Sequence, residues 1–316
     1  MKIYTSIVIP LFNEAPSICE LYNRIQAVLN NSLLHEKKCE IIFVDDGSND
    51  DSFEILKSLH KKNSNIKILK LRKKFGKTAA LAAGFLEARG DIIITMDADL
   101  QNDPADIPSL IEKLNQGYDV VSGWRKRRKD GFTKIFLSRI YNAVTSFFSG
   151  IPIHDFNCGL KAYKKQVLKE IKIYGTLHRY IPVIAYWKGF RVGEILVAHN
   201  KRIHGKSKYG INRIFEGFWD FATVIFFLKF NQKPLHLFGN IGVIFLFFGL
   251  IINSYILSLW LRFNSIMGRH PLLILGVMLM ILGVQLVSLG LLAEMIVNNS
   301  QDNKDVFSVE EKLEHN

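Results

Sequence analysis

Two stretches near the C-terminal end constrain this chain more than anything else in it. Leu235 to Leu261 contains no Asp, Glu, Lys or Arg, and Pro271 to Ala293 repeats the pattern after the short link Arg262 to His270. At about 1.5 Å per residue, a helix of the first length outruns the roughly 30 Å hydrocarbon core of a bilayer. Paired core helices of a soluble protein are rarely so long and so free of charge, so the two stretches read as a transmembrane hairpin, 235–261 and 271–293 within a 235–297 unit. That leaves residues 1–210 for an aqueous domain, 211–234 for a linker and 298–316 for a tail.

Charge gives the orientation. The 41 Lys and Arg against 29 Asp and Glu leave a net charge of +12. Lys201, Arg202, Lys206, Lys208, Arg213, Lys229 and Lys233 precede the first span, whereas Arg262 and Arg269 lie in the connecting loop. The positive-inside tendency therefore puts the N-terminal domain in the cytosol, and a hairpin returns the acidic, frayed or disordered tail to the same side. Met1 to Glu14, an apolar run cut by Pro10, lacks the pattern of a signal peptide. Cys19, Cys39 and Cys158 are odd in number and widely spaced, which excludes a disulfide scaffold or a paired zinc site and fits a reducing compartment.

Ahead of the spans, strand-like and helix-like runs alternate. Tyr4–Pro10, Glu40–Val44, Ile66–Leu71, Asp91–Met96 and Asp119–Ser122 are short apolar or β-branched runs that end in polar or turn residues. Pro16–Leu29, Ser52–Lys62, Lys77–Ala88 and Pro104–Gln116 carry helical spacing, with Pro16 in the first turn of one helix and Asp50 capping the next. Such repetition predicts an open α/β sheet with helices on both faces, whose ligands bind at the carboxyl ends of the strands. Two later stretches are basic and amphipathic: Phe132, Phe136, Ile140, Ala143, Val144 and Phe147 recur opposite Lys134, Ser138, Arg139 and Asn142, and a second set runs from Ile211 to Phe221. Beside a membrane anchor they read as helices lying in the headgroup plane, with ordinary core-facing helices as the alternative.

Polar clusters follow the strands as that topology requires: Pro10-Leu-Phe-Asn-Glu14, Asp45-Asp-Gly-Ser48 and Asp97-Ala-Asp-Leu-Gln101. Several carboxylates in one crevice need a cation, and Asp97 and Asp99, two apart around a bend, suit Mg²⁺ or Mn²⁺ that also takes diphosphate oxygens. Gly76-Lys77-Thr78 imitates the end of a P-loop, but the required first glycine falls at Leu71; Lys77 is instead a pocket or helix-start residue. No Gly-x-Gly-x-x-Gly follows the first strand. His154, His178 and His204 have no metal-site spacing, and Met96, Cys158 and Trp187 read as packing.

In their order along the chain, Ser6-Ile-Val-Ile-Pro-Leu-Phe-Asn-Glu14, Val44-Asp-Asp-Gly-Ser48, Met96-Asp-Ala-Asp-Leu-Gln101, His154-Asp-Phe-Asn-Cys-Gly159 and Gly205-Lys-Ser-Lys-Tyr209, followed by two spans, resemble the family 2 glycosyltransferases. The similarity is to the bacterial polyprenyl-phosphate sugar transferases related to dolichol-phosphate-mannose synthase. It implies a GT-A type, mostly parallel α/β sheet, then interfacial amphipathic helices and the transmembrane hairpin. It implies a multi-pass protein of the bacterial inner membrane, with catalytic domain and C-terminus cytosolic, using Mg²⁺ or Mn²⁺.

Position by position, the resemblance assigns Pro10, Asn13, Glu14, Asp45 and Asp46 to the nucleotide base and ribose, with Lys77 and Ala98 in the donor pocket. It assigns Asp97, Asp99 and Gln101 to the metal and diphosphate. Asp155 matches the acid near the reacting sugar and, with Asp99, is the expected catalytic pair. Arg125 and Arg139 match the residues that bind the acceptor phosphate. Arg202, Ser207 and Lys208 match a mobile loop over the donor, Ser207 also facing the acceptor phosphate. Asn102-Asp103 stands where relatives often carry a His-Pro-like pair. The implied reaction is inverting transfer of one sugar, from a UDP-sugar ahead of a GDP-sugar, to polyprenyl (undecaprenyl) phosphate. The rivals are a processive polysaccharide synthase, though no Gln-x-x-Arg-Trp precedes any Trp here, or another membrane family 2 glycosyltransferase with a different acceptor. Nucleic acid is not an expected partner, since no binding motif accompanies the charge; a homo-oligomer is allowed.

Overall fold

The computed structural model describes residues 3–31, 37–126, 132–171, 173, 177–200, 234–266 and 268–300. The chain divides into two compact units, the second beginning at Ala222.

The first unit is built on a seven-stranded sheet in the order β3-β2-β1-β4-β6-β5-β7. The strands are β1 Thr5–Leu11, β2 Cys39–Asp45, β3 Ile66–Lys70, β4 Ile92–Thr95, β5 Val120–Trp124, β6 Lys161–Lys164 and β7 Val192–Leu196. The first five match the runs read from the sequence; β6 and β7 were not anticipated. All neighbours are parallel except that β6 runs against both β4 and β5. β1 is wholly buried because helices cover both faces, and that is why its sequence is a continuous apolar run rather than an alternating one.

The helices are α1 Ala15–Asn31, α2 Ser52–Lys62, α3 Lys77–Glu87, α4 Ile107–Asn115, α5 Phe132–Ser149, α6 Lys165–Glu170 and α7 Ile181–Trp187. Ile18, Leu21 and Ile25 of α1, Leu56 of α2 and Leu110 of α4 pack on one side of the sheet with Ile7, Ile9 and Phe43. Ala80 and Leu81 of α3 pack on the other side against Val8, Ile42 and Val44, while Val167, Ile181 and Ala185 of α6 and α7 join Val120 and Tyr163 there. Asp50 does the capping expected of it from one position further out: its carboxylate accepts from Ser52 N at 3.1 Å and from Ala15 N at 3.2 Å, serving the first turns of both α2 and α1. The expected helix from Pro104 begins instead as a 3₁₀ turn, Pro104–Asp106, capped by Asp103 through Ala105 N at 3.0 Å.

α5 forms where the amphipathic pattern predicts it. Its described outward side chains include Arg139, Val144 and Phe147, the last 82% exposed, whereas Asn142, Thr145 and Ser149 are buried. Of the apolar positions in the pattern, Ala143, Val144 and Phe147 are exposed, where a core-facing helix would bury them.

The second unit contains two helices long and apolar enough to cross a membrane, Pro234–Phe263 and His270–Ser300, which contain the two expected spans. Only 11% of either apolar window is buried, which separates them from the core helices of a soluble fold. They pack as an antiparallel pair through small residues: a Cβ on Gly242 would lie 2.7 Å from the Gly283 carbonyl, and one on Gly249 2.7 Å from that of Gly276. Glu294 accepts from Leu235 N at 3.1 Å and so caps the first helix. The expected linker (211–234) and tail (298–316) lie outside the described residues, apart from the helix ends at Pro234 and 298–300.

Candidate active site

β1 and β4 lie side by side while their continuations run in opposite directions across the sheet, and this switch point opens a crevice at the carboxyl edge. β2, β4 and β5 deliver Asp45, Asp97 and Arg125 there. Because β6 is antiparallel, its beginning, Lys161, meets the same edge, and the segment 154–160 that precedes it runs along the crevice.

At one end the loops after β1 and β2 are stitched together. Asn13 adopts a left-handed backbone (φ 53°). Its N–H donates to Ser48 Oγ at 2.9 Å, its Oδ1 accepts from Asn49 N at 2.9 Å, and Glu14 N donates to Ser52 Oγ at 3.1 Å. Asp45 accepts from Ser48 N through Oδ1 at 2.9 Å, and its buried Oδ2 has no hydrogen-bond partner among the described residues. Asp46 is occupied: its oxygens accept from Phe75 N at 2.7 Å and Gly76 N at 2.8 Å, which fixes the start of α3 and with it Lys77.

Lys77 forms an ion pair with Asp97. Burial opposes charge on Asp97, but Lys77, helped by Arg125 and Lys161, outweighs it and holds the carboxyl below its ordinary value. The other side of the carboxylate lies on Gly159, where an added Cβ would come within 2.4 Å of Oδ2. Asp99 accepts from Gln101 N at 3.2 Å across the bend, which Leu100 closes with a φ of 61°.

Arg125 and Asp155 form a bidentate pair, Nε to Oδ2 at 2.7 Å and Nη2 to Oδ1 at 3.0 Å, with 11% and 3% of their side chains exposed. Burial works against the Arg125 charge, yet the hydrogen bonds to Asp155 raise its pKa. Trp124 stacks on His154 at 4.1 Å, and His154 is tied to Glu194. Beneath both pairs Lys161 is 3% exposed and donates from Nζ to Phe156 O at 2.9 Å; burial draws its ammonium down to about 8.

Hard carboxylate donors at Asp97 and Asp99 suit Mg²⁺ or Mn²⁺. No group of three His, Cys, Asp or Glu side chains comes together among the described residues; Mg²⁺ commonly takes one or two carboxylates and completes its shell with substrate oxygens and water.

The family model for glycosyl transferase family 2 matches residues 6–172, more than half the chain, and spans Asp45, Asp97, Arg125, Asp155 and Lys161. This chain is a family 2 glycosyltransferase. Among its relatives, the dodecaprenyl-phosphate galacturonate synthase of Rhizobium johnstonii is 38% identical over 301 residues, covering 92% of this chain and 87% of that protein. The undecaprenyl-phosphate 4-deoxy-4-formamido-L-arabinose transferase of Pseudomonas aeruginosa is 36% identical over 293 residues, 92% and 84% of the two. A crystal structure of glucosyl-3-phosphoglycerate synthase from Mycobacterium tuberculosis with Mn²⁺, uridine diphosphate and phosphoglyceric acid superimposes with a TM-score of 0.54 at 16% identity, over 72% of this chain and 78% of that one. That likeness bears on the fold, and it agrees with the GT-A type sheet.

Of the residues the sequence singled out in this glycosyltransferase, Pro10, Asn13, Glu14, Asp45 and Asp46 gather at the β1 and β2 ends, and Lys77, Asp97, Ala98, Asp99 and Gln101 at the β4 end. Arg125 and Asp155 meet each other. Arg139 is exposed on α5. Arg202, Ser207 and Lys208 lie outside the described residues. Sequence reasoning missed Lys161, which reads as an ordinary charged residue until β6 turns out to run backwards.

Proposed function

We propose that this glycosyltransferase moves one sugar, with inversion, from a nucleotide-sugar, a UDP-sugar ahead of a GDP-sugar, to polyprenyl phosphate at the cytosolic face of the bacterial inner membrane. The observation that carries the reading is one chain that joins an acid-and-base-lined transferase crevice to two membrane-length helices. The names of the two relatives, both polyprenyl-phosphate sugar transferases, support the acceptor. Val144 and Phe147, exposed on α5 together with Arg139, support a domain resting on the headgroups.

In this reading Asp45 and the Asn13–Glu14 loop hold the nucleoside, Asp46 acts by positioning Lys77, and Asp97 and Asp99, with Gln101 beside them, hold the divalent ion. That ion, Mg²⁺ or Mn²⁺, supplies charge neutralisation to the leaving diphosphate. Lys77, paired with Asp97, is placed to turn to the diphosphate. A lipid phosphate monoester has a second pKa of about 6 and is largely dianionic at neutral pH, so it needs placing more than deprotonating. Its oxygen forms the new bond to the anomeric carbon from the face opposite the donor oxygen, and the bonding pair leaves with the nucleoside diphosphate. Arg125 and Arg139 offset repulsion between the two anionic substrates. Asp155, committed to Arg125, orients that guanidinium and is not required as a base.

Purified protein in detergent, supplied with radiolabelled nucleotide-sugars, undecaprenyl phosphate and Mg²⁺ or Mn²⁺, is expected to give a chloroform-soluble product that EDTA abolishes. Long polymer in place of a single-sugar lipid would move the processive reading ahead.

A further inference from the structure

Segment 154–160 touches both halves of the crevice. At its start Asp155 clamps Arg125; at its end Gly159 backs the carboxylate of Asp97. The segment has no regular secondary structure, so its position depends on side chains that hold its backbone. Ser122 Oγ donates to Asp155 O at 3.3 Å, Thr95 Oγ1 to Gly159 O at 2.9 Å, and between them Lys161 Nζ donates to Phe156 O at 2.9 Å. Ser122 and Thr95 are the very residues that flank Lys161 in the sheet register. The ends of the segment are held by Gly123 N to Leu160 O at 3.0 Å and His154 N to Glu194 Oε2 at 2.9 Å; of the three side-chain donors to its carbonyls, two are neutral hydroxyls and the middle one is a charge-assisted hydrogen bond from a buried ammonium, the strongest of the three.

The same ammonium alters the charge of the crevice floor. Lys77, Arg125 and Lys161 face Asp97 and Asp155, with Asp99 across the bend, so Lys161 adds a positive charge to a place that has to accept anionic oxygen from two sides. A buried lysine costs several kcal/mol of desolvation, which an apolar residue at this sheet position would avoid. Packing alone therefore does not account for it.

We infer that Lys161 is a positioning residue: from beneath the sheet edge it pins segment 154–160 so that Asp155 presents Arg125 to the acceptor phosphate and Gly159 supports Asp97 on the donor side. Lys161 touches no substrate, and its effect passes through those two residues. The part concerning substrates rests on the proposed function; the pinning itself does not.

The test compares Lys161→Met, Lys161→Gln and Lys161→Arg in the full chain, first by hydrogen–deuterium exchange and then by steady-state kinetics. Lys161→Met is expected to expose the amides of 154–160 at least tenfold faster while β1 and β2 keep wild-type protection. Its KM for undecaprenyl phosphate is expected to rise about tenfold and kcat to fall by at least as much. Lys161→Arg is expected to recover most of both, and Lys161→Gln, with a donor but no charge, to fall between. Unchanged exchange in 154–160 would overturn the pin. Faster exchange with both KM values unchanged, the activity tracking only the amount of folded protein, would reduce Lys161 to a structural residue and overturn the positioning role. Should the wild type transfer no sugar to the lipid at all, the functional reading falls, while exchange in 154–160 still decides the pin.

Discussion

Arg125 spends both Nε and Nη2 on the two carboxylate oxygens of Asp155, so the cation expected at the acceptor and the acid expected at the sugar are one unit. A pair this buried is worth less as a source of stability than it costs when half of it is removed. Taking away one partner strands the other, at a typical cost of about 3–5 kcal/mol. Asp155→Ala should therefore lower both thermal stability and transfer, whereas Asp155→Asn, retaining an acceptor, should melt closer to wild type and still transfer at least about a hundredfold more slowly. Circular dichroism melts paired with initial rates check this. A fast Asp155→Asn enzyme would remove the charge of Asp155 from the mechanism.

Asp46 stands in the same Asp-Asp sequence as Asp45 but does a different job, holding the Phe75 and Gly76 amides and so the start of α3. Leaving two partly buried amides without an acceptor costs about 1–3 kcal/mol each at most. Asp46→Ala is expected to raise KM for the nucleotide-sugar by displacing Lys77, and to leave KM for the lipid phosphate nearly unchanged. Isothermal titration with the nucleoside alone should separate it from Asp45→Ala, which is expected to weaken nucleoside binding directly. Equal losses in the two variants would contradict the division of labour.

Away from the crevice, Glu40 is buried between Lys67, at 2.8 Å, and the donors Ser6 Oγ and Arg89 N. Burial pushes its pKa up, but these three partners together leave it below the ordinary carboxylate value. A depressed pKa contributes stability that is present above the unfolded value of about 4.3 and disappears as pH falls through the folded one. Lys67→Met should accordingly destabilise the protein at pH 7 and converge with wild type in denaturant titrations run progressively more acid than pH 4. A gap independent of pH would mean that Lys67 acts by packing its stem.

In the helical hairpin, Gly249→Leu places a side chain against the Gly276 carbonyl and should force the helices apart. Detergent-solubilised protein is expected to unfold at lower temperature, followed by tryptophan fluorescence. Gly239→Leu is the control, since a Cβ there meets only the Leu235 side chain, at 3.3 Å. Identical melting of the two variants would count against close glycine packing.

How much of this was legible in the sequence depended on how local the signal was. The first five strands are continuous apolar runs closed by turn residues, and the polar clusters sit immediately after them, so both could be read in order along the chain. The two helices of the hairpin announce themselves by composition. β6 and β7 escaped because Lys161–Lys164 holds two lysines in four residues, and Val192–Leu196 is only partly buried with Glu194 at its centre. Neither shows the periodicity of a strand; each is defined by what it lies beside. For the same reason the amides that Asp46 holds and the pairing of Asp155 with Arg125 are not legible in residue type and spacing. Residue type and spacing carry the chemistry of a site, but the pairing of groups 30 positions apart is set by sheet order.

The cap that Glu294 provides to Leu235 spans 59 positions of sequence. A ribosome completes the first helix long before it makes the residue that finishes that helix's leading turn. Until then the Leu235 amide lacks that acceptor, which arrives with the second helix. The hairpin is therefore a unit of biosynthesis as well as of structure: a chain truncated anywhere before residue 294 lacks the carboxylate that meets the first helix at Leu235.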